Sequence, residues 1–223
     1  MYKNSRVKSN NDLISVSLGA ASSLLNYCTF IKENIMKTNM KPASILYPQP
    51  VLVIASYDKE GHADAMVAAW GGIYDTNQIG FMLDHRHQTT ENIRAASAFT
   101  VSMATVGTMA ESDYFGCVSE KAAAGKIGHV GFHAVKSEHV EAPVITEYPL
   151  TFECKVSKVT QVGEDFHFVG DIVNILVDDA ILTEGKIDPM KLAPITFDAV
   201  HDKYLPLGEA VGKAWGEGRI FMK

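Results

Sequence analysis

Cysteine is scarce in this chain of 223 residues: Cys28, Cys117 and Cys154 stand far apart and form no C-x-x-C pair. Neither a disulfide framework nor a zinc-site pattern fits that spacing, so free buried thiols in a reducing compartment are expected. Positive charge is not in excess either. With 20 Lys and Arg against 26 Asp and Glu the formal net charge is −6, the opposite of the basic face that nucleic-acid binding requires. No run approaches the ~18 to 20 continuous apolar residues of a membrane-spanning helix. There is no G-x-G-x-x-G after a strand and no P-loop: Gly216-Glu217-Gly218 falls near the end, and Gly125-Lys126 lacks the rest of the pattern. A nicotinamide nucleotide would have to bind without a Rossmann domain. Repeats and low-complexity tracts are also lacking. What remains is a composition of 47% hydrophobic and 21% charged residues with a mean hydropathy of +0.02, that of a soluble globular protein with a core large enough for one domain. A cytoplasmic location is the expectation.

Residues 1–40 differ in character from the rest. Lys3, Arg6 and Lys8 precede a modestly apolar stretch, but Ser15, Ser17, Ser22 and Ser23 interrupt it, and Asn10, Asn11 and Asp12 stand where a signal peptide has its clean basic-to-apolar boundary. The segment reads as a leader or extension outside the core, with Met36 or Met40 as an alternative start. The domain is then residues 41–223.

Within that domain, Val51-Leu52-Val53-Ile54-Ala55 has β-branched character and Asp58-Lys59-Glu60-Gly61 is a natural turn, which predicts a hairpin whose return strand covers residues 62–69. Residues 79–83 and 99–103 predict two more strands around a short helix. Residues 150–159 alternate apolar and polar side chains, and Gly163-Glu164-Asp165 turns them into a partner over 166–177. Residues 110–131 read as helix plus lid-like loop, residues 188–192 as a short helix, and 207–215 as a helix or loose turn. Many short antiparallel strands with few helices predict a mainly β barrel or sandwich.

Two segments point to chemistry. Ala68-Ala69-Trp70-Gly71-Gly72 offers backbone that a planar ligand can lie against, with Trp70 as one wall. The turn from His85 to Ile93 opens a helix, with Thr89 predicted as N-cap and Asn92 at the third helical position. Helix amides, the Thr90 hydroxyl, the Arg86 cation and the imidazoles of His85 and His87 would together suit a phosphate dianion. A flat ring with a phosphate tail fits both segments. Trp70 is equally readable as a core or contact aromatic, and Arg86 as a solvated turn residue.

The order Tyr47-Pro48-x-Pro50-Val51, Ala65-Met66-x-Ala68-Ala69-Trp70-Gly71-Gly72, His87-Gln88-Thr89-Thr90-Glu91-Asn92-Ile93, Phe99-Thr100-Val101, Asp113-Tyr114-Phe115-Gly116, Ala142-Pro143 and Tyr204-x-x-Leu207-Gly208 resembles the flavin reductase-like, flavoredoxin-type family, over residues 46–221. The resemblance implies an antiparallel, Greek-key FMN-binding split β-barrel and a homodimer with one FMN near each side of the interface. It places the isoalloxazine along Met66, Val67, Ala68, Ala69 and Trp70. It places the phosphate at Arg86, His87, Gln88, Thr89, Thr90 and Asn92, with help from Ser102 or Thr105. Relatives often have a basic residue where Gln88 stands, which shifts weight to Arg86 and His87. Tyr114, Phe115 and Tyr204 are further ring neighbours or packing residues.

The chemistry implied is hydride transfer from NADH or NADPH to FMN N5 and onward to a second acceptor, without a catalytic triad. A flavoredoxin-type electron carrier that exchanges electrons with a redox protein is the alternative. From a different class, His85-x-His87 on a strand end and His129 with His133 on a helix would suggest a metal-dependent hydrolase, though no third ligand stands at a characteristic spacing.

Overall fold

The computed structural model describes residues 37–222. One compact unit from Ser44 onward carries every strand and helix among them. The expectations for residues 1–36, with the alternative start at Met36 and the thiol of Cys28, lie outside the described residues.

Strand β1 (Leu52–Tyr57) is buried at its first five positions because both its faces are covered. Leu52 and Ile54 join a cluster with Phe81, Phe99, Val101, Cys154 and Phe168, whereas Val51, Val53 and Ala55 join Ala65, Phe115, Ile127 and Ile145 on the other side. Burial on both faces explains a continuous apolar run in place of alternation. The turn that follows has Gly61 at φ +86°, a region open to glycine, and Asp58 Oδ1 accepts from the Glu60 and His62 amides. The return strand is β2 (Ala63–Ala68).

The chain continues through β3 (Gly71–Asp75), β4 (Gln78–Leu83), α1 (Gln88–Ala96), β5 (Ala98–Met103), α2 (Met109–Cys117) and α3 (Lys126–His129). A small ribbon, β6 (Ala134–Lys136) with β7 (Pro143–Ile145), precedes the long hairpin of β8 (Leu150–Val162) and β9 (Asp165–Val177). A second ribbon, β10 (Leu182–Thr183) with β11 (Lys186–Ile187), leads into α4 (Pro189–Leu192), and a third pairs β12 (Ile195–Asp198) with β13 (Lys203–Pro206). Residues 207–215 form no helix. A 3-10 turn, Glu217–Phe221, comes after them.

Seven strands pair antiparallel in the order β2-β1-β5-β8-β9-β4-β3. Strands β2 and β3 stand at opposite ends of that order, yet only Ala69 and Trp70 join them, so the sheet curls until its two edges meet there. The fold is a mainly β, antiparallel split barrel with a few peripheral helices. Its interior is tight: a Cβ on Gly170 of β9 would fall 2.3 Å from Phe99 Cζ, and the Phe99 ring meets Phe81 edge to face at 5.0 Å. Helix α1 adds Ile93 to this interior cluster. The short loop between β2 and β3 and the first turn of α1 therefore lie at one end of the barrel, and the site is built there.

Candidate functional site

A cavity of about 500 Å³ opens where β2 ends. Met66, Val67, Ala68, Ala69 and Trp70 form one wall, and Met82, Leu83 and Asp84 of β4 and its exit form another. Asp113, Gly116 and Cys117 of α2 stand over it with Phe197, Ala199 and Tyr204 from the β12–β13 ribbon. A smaller cavity of about 190 Å³ shares Met66, His87, Gly116 and Cys117 with the first and extends past Asp64, Gln88, Thr89, Ser119 and Lys126. The shared residues make the two adjoin. At Gly116 α2 comes close to β2: a Cβ there would meet Val67 Cβ at 3.4 Å, ordinary van der Waals contact. A more voluminous cleft, about 1050 Å³, is lined by mixed charges such as Glu91, Arg94 and Lys121 and, at the turn after β1, by Asp58, Glu60 and His62, whose polar atoms lie within 4.8 Å of one another.

The smaller cavity ends at the start of α1. His87 is the N-cap in extended conformation, and its side chain makes no capping hydrogen bond. The N-cap expected at Thr89 is thus two residues too late. The Thr89 hydroxyl donates instead to the buried carboxylate Asp64 Oδ2, a partner 25 positions away that no local motif announces. A helix end without a side-chain cap leaves amides and the positive end of the dipole available to an anion. Lys126 closes this end. Its side chain is 2% exposed, its Nζ donates to the Val118 carbonyl at 2.9 Å, and Asp64 Oδ1 lies 3.2 Å away. The lysine and aspartate neutralise each other and clamp the segment after α2 against β2 and α1.

His87, Gln88 and Thr89 line the smaller cavity, and Met66 through Trp70 the larger. Trp70 is 63% exposed, which removes its core reading. Arg86 is engaged by a neighbour: its Nε donates to Asp84 Oδ1 at 2.9 Å, and its Nη2 to Asp84 Oδ2, while the guanidinium stays exposed. That pairing holds the Asp84 carboxyl well below the usual carboxylate range. In this arrangement the Arg86 guanidinium is paired with Asp84. Thr90 turns its hydroxyl to the Asp84 carbonyl at 2.7 Å, and Asn92 accepts from Gln88 Nε2 at 2.8 Å and lines the open cleft. Ser102 bonds Thr151 at 2.7 Å and Thr105 bonds Thr108 at 3.1 Å, so both hydroxyls serve the barrel and its loop and line neither cavity.

Of the three aromatic side chains singled out from the sequence, Tyr204 lines the larger cavity and Phe115 the smaller, while Tyr114 stacks on His129. The Tyr204 hydroxyl donates to Asp113 Oδ1 at 2.7 Å, and its pKa is pushed upward by burial first and by that carboxylate second. The histidine pairs do not converge. His129 ends a four-residue helix, His133 is held by Glu147 at 2.7 Å, and His85 sits with Asp84 and Asp165 in an exposed acidic group. Of the cysteines, Cys154 is buried and its thiol is pushed up to about 12 by desolvation, but Cys117 is exposed at the cavity join.

Three residues of the site carried no local signal: Gln49, Asp64 and Lys126. Gln49 sits between Pro48 and Pro50, is 6% exposed and lines the larger cavity. Lys126 follows an alanine run that reads as loop. The one hint is a lysine beside the apolar Ile127, since a lysine buried in such company needs a carboxylate partner.

A split barrel whose edge strands meet at a bare-backbone wall beside an uncapped helix end defines a class of small barrel proteins. The chain belongs to the flavin reductase like domain family, whose model it matches over residues 44–198. Among solved structures it is similar to the flavoredoxin of Desulfovibrio vulgaris (Miyazaki F), at 30% identity and a TM-score of 0.78 over 82% of this chain and 100% of that one. It is also similar to flavoredoxin from Methanosarcina acetivorans, at 26% identity and a TM-score of 0.77 over 84% and 100%. Nitrilotriacetate monooxygenase component B from Bacillus cereus shares the fold at 19% identity and a TM-score of 0.67, over 81% of this chain and 100% of that one. An uncharacterized protein of Aeropyrum pernix is 27% identical over 60% of this chain, which spans 52% of that relative's length.

Proposed function

We propose that the chain binds FMN, with the isoalloxazine ring in the larger cavity and the phosphate in the smaller, and acts as an NAD(P)H-dependent flavin reductase. The observation that carries this reading is the sharing of Met66, His87, Gly116 and Cys117 by a cavity walled with bare backbone and one at an uncapped helix N-terminus. That pairing of environments suits a planar ring with an anionic tail. The residues present fit the group. The first amides of α1 would hold the phosphate, together with His87 and Ser119 of the same cavity, while the Lys126–Asp64 pair holds the wall without adding net charge. Pairing of β1 with β2 ends at Ala68, so the backbone at Ala69 is available to the ring edge. Trp70 and Tyr204 flank the opening through which a nicotinamide would approach.

FMN, when bound, would supply the redox chemistry that links a nicotinamide hydride donor to a second acceptor. The chain's own residues orient the ring, exclude water from one of its faces and balance the phosphate charge. Two copies are proposed to associate as a homodimer, a reading supported by exposed Ile73 and Tyr74 on the edge strand β3. Residence in the cytoplasm is part of the proposal and fits unpaired Cys117 and Cys154.

A second reading has one observation in its favour, the 30% identity to a flavoredoxin along that protein's full length. In it the chain carries electrons between protein partners, and the net charge of −6 favours docking to a basic redox protein. The visible spectrum of the purified protein, recorded anaerobically before and after NADH and then NADPH, tests both. A flavin spectrum that bleaches with either nucleotide supports the reductase and names its donor. A flavin spectrum that stays oxidised favours the carrier. A colourless protein that takes up no added FMN overturns the proposal.

A further inference from the structure

Gln49 is held in place more firmly than any hydrogen bond of its own side chain requires. Its backbone amide donates to Thr196 Oγ1 at 2.7 Å, and its carbonyl accepts from the same hydroxyl at 2.9 Å and from the Phe197 amide at 2.8 Å. Pro48 and Pro50 flank it with fixed φ. The residue so positioned is 6% exposed and lines the larger cavity. Its Nε2 makes one long bond, 3.4 Å, to the Ala69 carbonyl, and its Oε1 is fully buried with no hydrogen-bond donor among the described residues. An amide oxygen left in that state costs about 1–3 kcal/mol, and buried polar atoms of folded proteins rarely go unmatched. Its neighbours on this wall are Ala68 and Ala69, which offer no side-chain donor.

We infer that Gln49 is a cofactor-positioning residue whose side-chain amide pairs with the imide edge of the flavin ring. This rests on the FMN reading above and deepens it. The pyrimidine end of an isoalloxazine presents an N–H at N3 between two carbonyl oxygens. A primary amide is the complement of that edge: Oε1 accepts from N3–H, and Nε2, only weakly engaged by Ala69, donates to the adjacent carbonyl. No carboxylate or imidazole near Ala69 offers the same pair of functions. Gln49 lies outside the four residues the cavities share, so it reads the ring and leaves the phosphate to the start of α1.

The test compares FMN with its N3-methyl analogue, which keeps ring and phosphate but loses the imide proton. Affinities are measured by flavin fluorescence and visible absorption on the full chain and on Gln49→Met, a substitution of similar volume. Wild type is expected to prefer FMN to the N3-methyl analogue by about tenfold or more, the factor of one buried hydrogen bond. Gln49→Met should lose that preference through weaker FMN binding. The ratio of the two affinities is the readout, because a variant that is partly unfolded weakens both ligands alike and leaves the ratio unmoved. A Gln49→Met protein that discriminates as wild type does, or a wild type that binds both flavins equally, overturns the assignment of Gln49 alone. A wild type that binds neither flavin overturns the FMN reading and this inference with it.

Discussion

Lys126 Nζ lies 3.2 Å from Asp64 Oδ1, and both side chains are 2% exposed. Desolvation of two charges is repaid only while each has the other, so removing one partner is far costlier than the pair's net worth. Lys126→Met leaves Asp64 with the Thr89 hydroxyl alone, in a wall shared by β2, α1 and the segment after α2. The expected loss is about 3–5 kcal/mol, measured by urea unfolding. Joining Lys126→Met to Asp64→Asn should restore a large part of it. A double variant no more stable than the single one would mean that the lysine acts by its packing and not by its charge.

How far this site is legible in the sequence depends on how far each partner lies along the chain. Strands β1, β2, β4, β5, β8 and β9 follow from apolar runs, alternation and turn residues a few positions apart. Strand β3 does not, because Gly71 and Gly72 carry no β signal. They form strand because they pair antiparallel with Phe81 and Gly80 of β4, and at Gly71 alone the approach is close, since a Cβ there would fall 2.7 Å from Phe81 Cβ. The bare-backbone wall and the helix opening were both readable as motifs. The roles of individual side chains were not, since Thr89 is claimed by Asp64, Arg86 by Asp84, and Gln49 is set by Thr196 on the far end of the chain. Local composition cannot encode those choices.

The engagement of Arg86 by Asp84 has a consequence for FMN binding. The guanidinium is 77% exposed and its hydrogen-bonding edge faces a carboxylate, so it contributes little to an anion at the α1 start. Arg86→Ala is expected to change FMN affinity by no more than about fivefold, as for a solvent-screened exposed pair. A fluorescence titration at fixed salt checks it. A loss of a hundredfold would return Arg86 to the phosphate site.

Cys117 and Cys154 should differ sharply toward alkylating reagents. Burial pushes the Cys154 thiol up to about 12 and shields it, while Cys117 is exposed where the two cavities adjoin. Peptide-level mass spectrometry after brief iodoacetamide treatment is expected to find Cys117 modified and Cys154 intact. Prior addition of FMN should slow the reaction at Cys117 at least severalfold. Equal rates with and without FMN would place the flavin elsewhere.

Gly170 is required by the Phe99 ring, which occupies the space a side chain would need. Gly170→Ala forces that ring, or β9 itself, to shift within a close-packed interior, and overpacking of this kind costs about 1–3 kcal/mol. Thermal unfolding followed by circular dichroism measures it. Adding Phe99→Leu, which removes the ring atoms at 2.3 and 2.8 Å and leaves Cys154 Cβ at 3.1 Å, should recover part of the stability lost by Gly170→Ala. Strictly additive losses would show that the two positions do not communicate.

Asp198 ties the segment before β1 to the β12–β13 ribbon: the Tyr47 hydroxyl donates to Oδ1, His201 Nδ1 lies 2.7 Å from Oδ2, and the Val200 amide donates to Oδ1 at 3.0 Å. The Tyr47 hydrogen bond, with those from His201 and Val200, holds the carboxyl down at about 2. Because the folded value lies below that of the unfolded chain, near 3.9 for an unperturbed aspartate, the carboxylate stabilises the fold at neutral pH. That contribution is fully present above about pH 4 and fades as the pH falls through about 2. Unfolding midpoints of wild type and Asp198→Asn should therefore differ most at neutral pH and converge between about pH 4 and pH 2. The same substitution frees the strand that presents Phe197 to the larger cavity, so its FMN affinity should fall along with its stability. A gap between the two proteins that stays constant down to pH 2 would mean that the contribution of Asp198 is not that of its charged carboxylate.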